Sequence, residues 1–423
     1  MSHARVHGAG PTGCLAALAL AQVGWQVHLC DPLDAPGLLE RQRAYALTHS
    51  SFALLDRLGL WQALEPQLVP FASLELWDQA TGRQSHFTAA DLGRGRRRQP
   101  GPFGAQDAAA ADGARGPGSG ASGTTGPRSG DRGEAVGWIV QHGPLMELLL
   151  HQLQAHPQVI LQLGRPGPGA GSAPAAGPAA DPVVDLVVGA DGSQSPCRQA
   201  AGLAWFERTY GQACLTVQVR LRGGRPDQAW ELLRPEGPFA VLPLGGDAFQ
   251  LVWSAPARRL RRLESLDGAA FLDQLAGALP DQLQPEALLD QPRAYPVALA
   301  LAWPLAKAPL VLVGDSAHRC HPVGGQGLNL GWRDVDCLQR LAARVSSGRL
   351  GPERLAAAYR WRRWPDLLAT LLVTDLLVRL FSNRNRLLLP LRRLALDLLN
   401  GWPLLRRLSL AAMTDGPCQP GRR

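Results

Sequence analysis

Two glycine-rich segments stand far apart in this 423-residue chain, and each suits close contact with something anionic or flat. The first is Gly8-Ala9-Gly10-Pro11-Thr12-Gly13. Gly8 permits a tight turn, Gly10 lets bare backbone approach a pyrophosphate, and Gly13 lets the next helix sit closely on a strand. The free N–H groups at that helix start carry partial positive charge toward the phosphates. The second is Gly314-Asp315-Ser316-Ala317-His318, then Pro322, then Gly324-Gly325-Gln326-Gly327-Leu328-Asn329. There a strand-end carboxylate can hold hydroxyls, and clustered glycines leave backbone uncovered for a planar ring. A lone Gly-x-Gly-x-x-Gly is weak evidence for a dinucleotide. Two such segments, each after an apolar run and before a helical one, imply one long cofactor held at both ends.

The elements that position these segments can be read around them. Val6 is the only clear apolar residue of the first strand, which is short and poorly patterned. The run Cys14-Leu15-Ala16-Ala17-Leu18-Ala19-Leu20-Ala21 reads as a helix ended by Gly24. A second strand, Gln26 to Cys30, stops at Asp31, an acid about 20 positions after the glycines and suited to ribose hydroxyls. The late run Pro309 to Gly314 reads as a buried strand, with Asp315 where side chains enter the crevice beyond a sheet. Leu328 to Leu338 reads as a helix whose first amides face the polar edge of a ring. Tyr210 to Trp253 alternates as strands: Leu215, Val217, Val219 and Leu221, then Phe239 to Leu244, then Phe249 to Trp253. Trp230, Phe239, Leu242 and Trp253 are candidates for an apolar pocket there.

Lys and Arg total 43 against 35 Asp and Glu, a net charge of +8. The excess sits in local clusters without a nucleic-acid-binding motif, so no nucleic-acid partner is expected. One cluster is Arg94, Arg96, Arg97 and Arg98. The other is Arg379, Arg384, Arg386, Arg392, Arg393, Arg406 and Arg407, interleaved with leucines. Basic amphipathic helices of this kind suit an anionic membrane surface. They equally suit a helical bundle with its arginines in solvent. No run reaches the roughly 20 uncharged apolar residues that span a bilayer, and no charged-and-apolar leader opens the chain. The expected location is cytoplasmic, with peripheral contact on the inner face of a membrane. Seven cysteines without a Cys-x-x-Cys pair indicate reduced thiols and no metal site. Residues 93–133 and 165–182 are Gly-, Ala-, Ser- and Pro-rich, a composition that cannot offset ordering entropy, and read as surface insertions.

A third motif lies between the two glycine segments: Val187-Val188-Gly189-Ala190-Asp191-Gly192, with Ser195 and Arg198. With it, the chain resembles the class A flavoprotein aromatic hydroxylases, and within them the ubiquinone-biosynthesis hydroxylases. Gly237 to Leu244 and Thr374-Asp375-Leu376-Leu377 with Leu380-Phe381-Ser382 carry the narrower likeness, and Arg43-Ala44-Tyr45-Ala46-Leu47 is a further matching stretch. The resemblance implies an α/β fold. An FAD-binding Rossmann-like domain of the aromatic hydroxylase type would comprise 1–92, 134–206 and 301–345. An antiparallel-sheet substrate domain would be inserted at 207–300, with a strand near 70–90, and C-terminal helices would fill 346–423.

Residue by residue, the resemblance implies that Gly8, Gly10, Gly13 and Asp31 hold the ADP half of FAD. Arg43 would reach the pyrophosphate or ribityl region, and Gln141 would contact the flavin. Asp191 is linked to both FAD and nicotinamide cofactor binding. Gly314 and Asp315 would hold the ribityl chain. Pro322 and Gly324 to Asn329, with Gly325, Gly327, Leu328 and Asn329 foremost, would line the isoalloxazine ring. Three departures from the family pattern stand out: His7 in place of an apolar residue, Asp31 in place of the commoner Glu, and the polar run Arg319-Cys320-His321.

The chemistry implied is that of the cofactor. Reduced flavin and O2 form a C4a-hydroperoxide whose distal oxygen hydroxylates an electron-rich phenol, here a polyprenylated phenol on the way to ubiquinone. NAD(P)H would bind transiently, since no second dinucleotide fold is visible, and the protein would belong to a ubiquinone-biosynthesis complex. The protein must position the ring and manage the phenol proton. His318 and His321 are the nearest titratable candidates; His318 with Pro322 is the candidate catalytic pair, while His318 reads more readily as a structural residue of the Gly-Asp motif. No Ser-His-Asp or Cys-His arrangement points to a hydrolase. A related hydroxylase of another aromatic and a non-catalytic flavin-binding scaffold remain open alternatives. Asp315→Ala is expected to lower FAD content sharply in the purified protein; unchanged flavin absorbance would remove Asp315 from the cofactor site.

Overall fold

The computed structural model describes residues 2–92, 135–165 and 184–418. The insertions expected at 93–133 and, after Arg165, through 182 lie outside the described residues, as does the cluster Arg94 to Arg98. The N-terminal strand His3–His7 occupies the middle of a six-stranded sheet. From one edge the order is Ala306–Lys307, Leu310–Leu312, Leu186–Gly189, His3–His7, Gln26–Asp31 and Val159–Leu163. All pairings are parallel except the first, so chain separated widely in sequence meets at one set of carboxyl ends. The helix Pro11–Gln22 lies between strands His3–His7 and Gln26–Asp31 in the chain, and its small residues Cys14, Ala16, Ala17, Ala19 and Ala21 are all buried. Small side chains on every face let the sheet and neighbouring helices close on it together. Gly24, at φ +89°, follows the helix end and turns the chain into the next strand.

A second, mostly antiparallel sheet covers the site. Its order is His318–Arg319, Arg293–Trp303, Ala204–Arg222, Ala248–Pro256, Phe239–Gly245, Gln228–Leu233, Ser73–Asp78 and Arg83–Thr88. Gln284–Leu288 pairs beside Ala204–Arg222. Two of these strands come from the N-terminal third, and Ser73–Asp78 joins Gln228–Leu233 in parallel. Strand alternation divides the labour. Leu215, Val217, Val219 and Leu221 pack with Phe239 and Trp253 under the helices Ala257–Glu264 and Gly268–Ala276. The opposite face, with Cys214 and Thr216, looks into a cavity. A small sheet of Ala44–Leu47, Gly137–Gln141 and Val69–Phe71 stands beside it.

The rest is helical: Gln326–Ser346, Pro352–Phe381, Leu389–Gly401 and Pro403–Asp415. Not every arginine of the C-terminal cluster is at a free surface. Arg392 is buried and donates to the carbonyls of Leu380 (2.7 Å) and Asn383 (2.8 Å), closing the end of the long helix. Arg406 pairs with Asp91 at 2.7 Å and Arg379 with Asp375 at 2.6 Å. Among the described residues no helix is long and apolar enough to cross a membrane.

A buried charge network fastens the helices to the parallel sheet. Asp334 replaces an apolar residue in the stripe Leu330, Asp334, Leu338 of the helix Gln326–Ser346, all buried. Its Oδ2 accepts from the Gly314 N–H (2.9 Å) and lies 2.7 Å from His318 Nε2. Its Oδ1 accepts from Arg363 Nε at 2.7 Å. Arg363 also donates to Asp366 Oδ2 (2.7 Å), which receives Arg333 Nε at 2.9 Å. Burial alone would raise the Asp334 carboxyl, but His318 and Arg363 outweigh it and hold the group below its ordinary value. Asp334→Ala is expected to cost on the order of 3–5 kcal/mol, because it leaves Arg363 charged and under-partnered in the interior. Urea unfolding of the purified variant would measure the loss.

Candidate active site

One cavity of about 1180 Å³ runs from the first glycine turn to the second sheet and the C-terminal helices. That exceeds the roughly 300–1,000 Å³ of pockets for drug-sized ligands. At one end lie Gly8, Gly10, Thr12 and Asp31. Gly8 has φ +99°, and a Cβ there would meet the Ala190 carbonyl oxygen at 2.3 Å. A Cβ on Gly13 would lie 1.8 Å from the Gly8 carbonyl oxygen. Around Gly10, by contrast, a Cβ would meet nothing within 4 Å. So two glycines are required by protein packing and the third leaves backbone open toward the cavity. Asp31 is held in place by the Ala9 N–H (2.6 Å) and the Leu33 N–H (2.8 Å). His7 reaches Cys30 Sγ through Nδ1 at 3.4 Å, so this departure from an apolar residue is absorbed locally.

The middle motif is braced by its own side chains. Asp191 accepts from Ser195 Oγ (2.5 Å) and from the Cys197 N–H (2.9 Å), so the carboxylate caps the short helix Pro196–Ala200. Arg198 lies with its guanidinium carbon 3.8 Å from the Trp205 ring centroid and donates to the Ser316 carbonyl at 2.9 Å. That bond couples the middle motif to the late one. Both Asp191 and Gly192 line the cavity.

The late motif presents one side chain and much bare backbone. Asp315 is exposed between buried Gly314 and Ser316, and it lines the cavity. Gly314 has φ +62°, and a Cβ there would press on Thr12 at 3.2 Å, joining the two glycine segments. Gly324 and Gly325 both lie in the left-handed region, at φ +67° and +61°. They turn the chain into the helix Gln326–Ser346, which starts without a side-chain cap, as does Pro11–Gln22. Both helices therefore leave their first N–H groups available to the cavity. Pro322, Gly325, Gly327 and Leu328 line it. The Pro322 carbonyl accepts from the Gly325 N–H at 2.9 Å.

Five expected site residues take other positions, the first being Gly13, which lies against the Gly8 carbonyl and outside the cavity lining. Asn329 is fully buried and outside the cavity lining. Its amide donates to the carbonyls of Ala46 (2.7 Å) and Gly325 (2.9 Å) and accepts from Ser51 Oγ (2.6 Å), so it positions the glycine turn. Gln141 is exposed at the head of the helix His142–Ala155 and outside the lining, although its sheet partner Ala44 is in it. His318 touches the cavity, but its Nε2 is turned to Asp334, which makes it a positioning residue of the late motif. His321 is fully buried outside the lining, bonded to Gln212 Oε1 (3.1 Å) and the Val323 N–H (3.2 Å). Burial pushes its imidazole down to about 4, so it is neutral near pH 7.

Arg43 stands at the cavity edge, as expected, and several further residues wall the site. Arg43 Nε donates to Tyr45 OH (2.8 Å), Tyr45 OH donates to His142 Nδ1 (2.8 Å), and His142 Nε2 reaches the Leu38 carbonyl (2.7 Å). This chain fixes Arg43 at the cavity edge. The wall opposite the glycine turn is apolar: Leu74, Leu76, Ala240, Leu242 and Val252, with Glu231 among them. Of the four pocket candidates, Trp230 and Leu242 line the cavity, while Phe239 and Trp253 stack at 5.0 Å in the core behind it. Glu231 left a signal in the sequence, an acid between Trp230 and Leu232 in a strand of a buried sheet.

The donors fit FAD. Backbone N–H groups and a tight turn with the bare backbone of Gly10 stand at one end, suited to a pyrophosphate. An exposed carboxylate and a bare glycine turn stand at the other, suited to a hydroxylated chain and a ring. The comparisons agree with this geometry. The family described as FAD binding domain matches residues 3–99 and 176–366. Ubiquinone hydroxylase UbiL of Rhodospirillum rubrum is 30% identical over 429 residues, covering 98% of this chain and 90% of that protein. The 3-demethoxyubiquinol 3-hydroxylase of Escherichia coli is 30% identical over 345 residues, covering 78% and 77%. The solved structure of p-nitrophenol 4-monooxygenase PnpA from Pseudomonas putida has a TM-score of 0.71 at 17% identity, covers 100% of both chains, and speaks to the fold. Sequence and cavity thus lead to one conclusion: this chain belongs to the ubiquinone-biosynthesis hydroxylase family of FAD-binding flavoproteins and is an FAD-dependent aromatic-ring monooxygenase.

Proposed function

We propose that the chain hydroxylates the ring of a polyprenylated phenol in ubiquinone biosynthesis, using O2 and NAD(P)H. The carrying observation is the continuity of the cavity, whose backbone-lined end opens directly into an apolar half. The names of the relatives support the pathway. Bound FAD supplies the activation of O2 and the transfer of electrons from NAD(P)H. In this reading Gly8, Gly10 and Asp31 hold the adenosine end on the turn that Gly13 lets close, Arg43 and Asp191 the middle, and Gly314 and Asp315 the ribityl chain. Pro322, Gly325, Gly327 and Leu328 bear on the flavin ring. Asn329, His318 and Asp334 keep that turn in place. Leu74, Leu76, Ala240, Leu242 and Val252 keep water from the reacting ring and orient it.

The C-terminal helices support a lipid-borne substrate. Val373 and Leu408 line the cavity and are also about half exposed, so the cavity reaches the surface between their helices. Leu376, Leu391, Leu394 and Leu404 are exposed on the helices Pro352–Phe381, Leu389–Gly401 and Pro403–Asp415, and Leu387 and Trp402 are exposed on the short segments that join them. Arg384, Arg386, Arg393 and Arg407 are exposed beside them in sequence. We read this as the face that rests on an anionic membrane, where a prenyl tail can stay in lipid while the ring enters.

The test of the reaction is mass spectrometry of quinone lipids from cells with and without the gene. A prenylated phenol short of one ring oxygen should accumulate, and an unchanged quinone profile without a redundant hydroxylase would move the substrate elsewhere. For the membrane face, the double substitution Leu387→Glu and Leu391→Glu should weaken binding to anionic vesicles about tenfold or more. Sedimentation with vesicles measures it, and equal binding by the variant would remove these leucines from the contact.

A further inference from the structure

We propose that the Glu231 carboxylate takes the phenol proton of the substrate ring. This inference rests on the reading that the substrate is a phenol, and it assigns the proton handling that His318 and His321 are not placed to perform. Glu231 stands on the strand Gln228–Leu233 with its side chain in the cavity wall. Its cross-strand neighbours are Leu76 on one side and Ala240 on the other, followed by Val252 and Thr216. It is 8% exposed, and among the described residues no cation pairs with it. The Gly324 N–H donates directly to its Oε2 at 3.4 Å. It therefore joins the apolar wall to the glycine turn and stands beside the cavity space that a substrate ring facing that turn would enter.

The other cavity acids are placed differently. Asp31 and Asp191 are bound by backbone N–H groups in the nucleotide-binding half, and Asp315 sits at the end of the parallel sheet. The strands Ser73–Asp78, Phe239–Gly245 and Ala248–Pro256 present Leu76, Ala240 and Val252 toward Glu231, none of them titratable. The glycine turn presents only backbone, and the helix Pro403–Asp415 brings the apolar Met413 against Gly324. The strand Ala204–Arg222 contributes Cys214, whose thiol is pushed up to about 12 by burial and by Glu231, and so stays neutral. An isolated carboxyl in such surroundings resists ionisation. Burial pushes Glu231 up to about 7, and the Gly324 N–H only partly opposes this. A base with that affinity for protons is half ionised near neutral pH and suits proton transfer from a phenol, which ionises near 10 by itself.

The step draws only on water and on the O2 and NAD(P)H that the proposed reaction already uses. The phenol O–H bond breaks, its electron pair stays on oxygen, and the proton bonds to a Glu231 oxygen. The phenolate drives electron density into the ring; with two electrons from NAD(P)H the O–O bond of O2 breaks, one oxygen bonds to the ring carbon to give a hydroxylated dienone, and the other leaves as water. As the hydroxylated ring carbon loses its proton to water, Glu231 returns its own to the ring oxygen.

The test uses the FAD-loaded enzyme, Glu231→Gln, Glu231→Asp and 2-prenylphenol as probe. In the wild type, hydroxylated product should rise with pH through about 7. Glu231→Gln should retain FAD, lose that limb, and form product about 100-fold more slowly at pH 7, recovering toward the phenol's own ionisation. Glu231→Asp should restore part of the rate. As a readout separate from turnover, infrared difference spectra should show a carboxylic acid band titrating near pH 7 that Glu231→Gln removes. A Gln variant that keeps the wild-type pH limb, or that slows equally at every pH, would overturn the assignment, as would a band that survives the substitution. A wild-type enzyme that shows the band yet makes no product from the phenol would overturn the phenol reading itself, a separate and recognisable failure.

Discussion

A single desolvated carboxylate, that of Asp334, holds together the parts of this protein that must not move. Placing a charge in the interior costs several kcal/mol unless every lone pair is met. Here three donors from three elements meet it: the Gly314 N–H at a strand end, His318 on the following short strand, and Arg363 on the long helix. A shift of any one of the three would leave the charge less well compensated. Close backbone approach adds to the constraint, since a Cβ on Gly331 would lie 3.0 Å from the Gly314 Cα. Strand end, glycine turn and long helix therefore behave as one rigid frame. Within it, Asp315 is left exposed at its own position.

On that frame the cavity combines two kinds of wall. One half is made of backbone N–H groups and short polar side chains, which recognise charge and hydroxyls at close range. The other is made of leucine, alanine and valine from sheet faces, which recognise shape and exclude water. Strand alternation makes this possible in a small thickness of protein, because the residues between the cavity-facing ones, such as Leu215 and Val217, fill a separate core behind them. The glycine turn stands where the halves meet. Gln326 ties it to the C-terminal helix through the Gly324 and Met413 carbonyls, at 3.1 and 3.0 Å.

Much of this was legible in the residues, for reasons that differ by position. Gly8, Gly13 and Gly314 are readable because backbone conformation and close approach allow little else there. The first strand was hard to read because His3–His7 holds few apolar side chains; its place at the centre of the sheet comes from two neighbours distant in sequence. Asn329 shows the limit of motif reading. The amide is required, but its partners Ala46 and Ser51 lie some 280 positions earlier, and only the folded chain shows that it serves the turn and not the ring. Arg392 is similar, since arginine in a leucine-rich helix reads as surface until its carbonyl partners are seen. Asp334 and Glu231 could have been noticed as acids interrupting apolar patterns, one at helical period and one in a strand.

The strand order carries a consequence for how the molecule is made. The middle strand of the parallel sheet is synthesised first, yet the strand Leu186–Gly189 that flanks it and the strand Leu310–Leu312 beyond that emerge much later. The cavity wall is completed later still, by Met413 and its neighbours on the helix Pro403–Asp415. Contacts this distant in sequence close slowly and only after long loops have paid their entropy. During synthesis the nucleotide-binding turn is thus an exposed fragment without its roof. Flavin capture becomes a late event, one that reports that nearly every element of the fold has found its place.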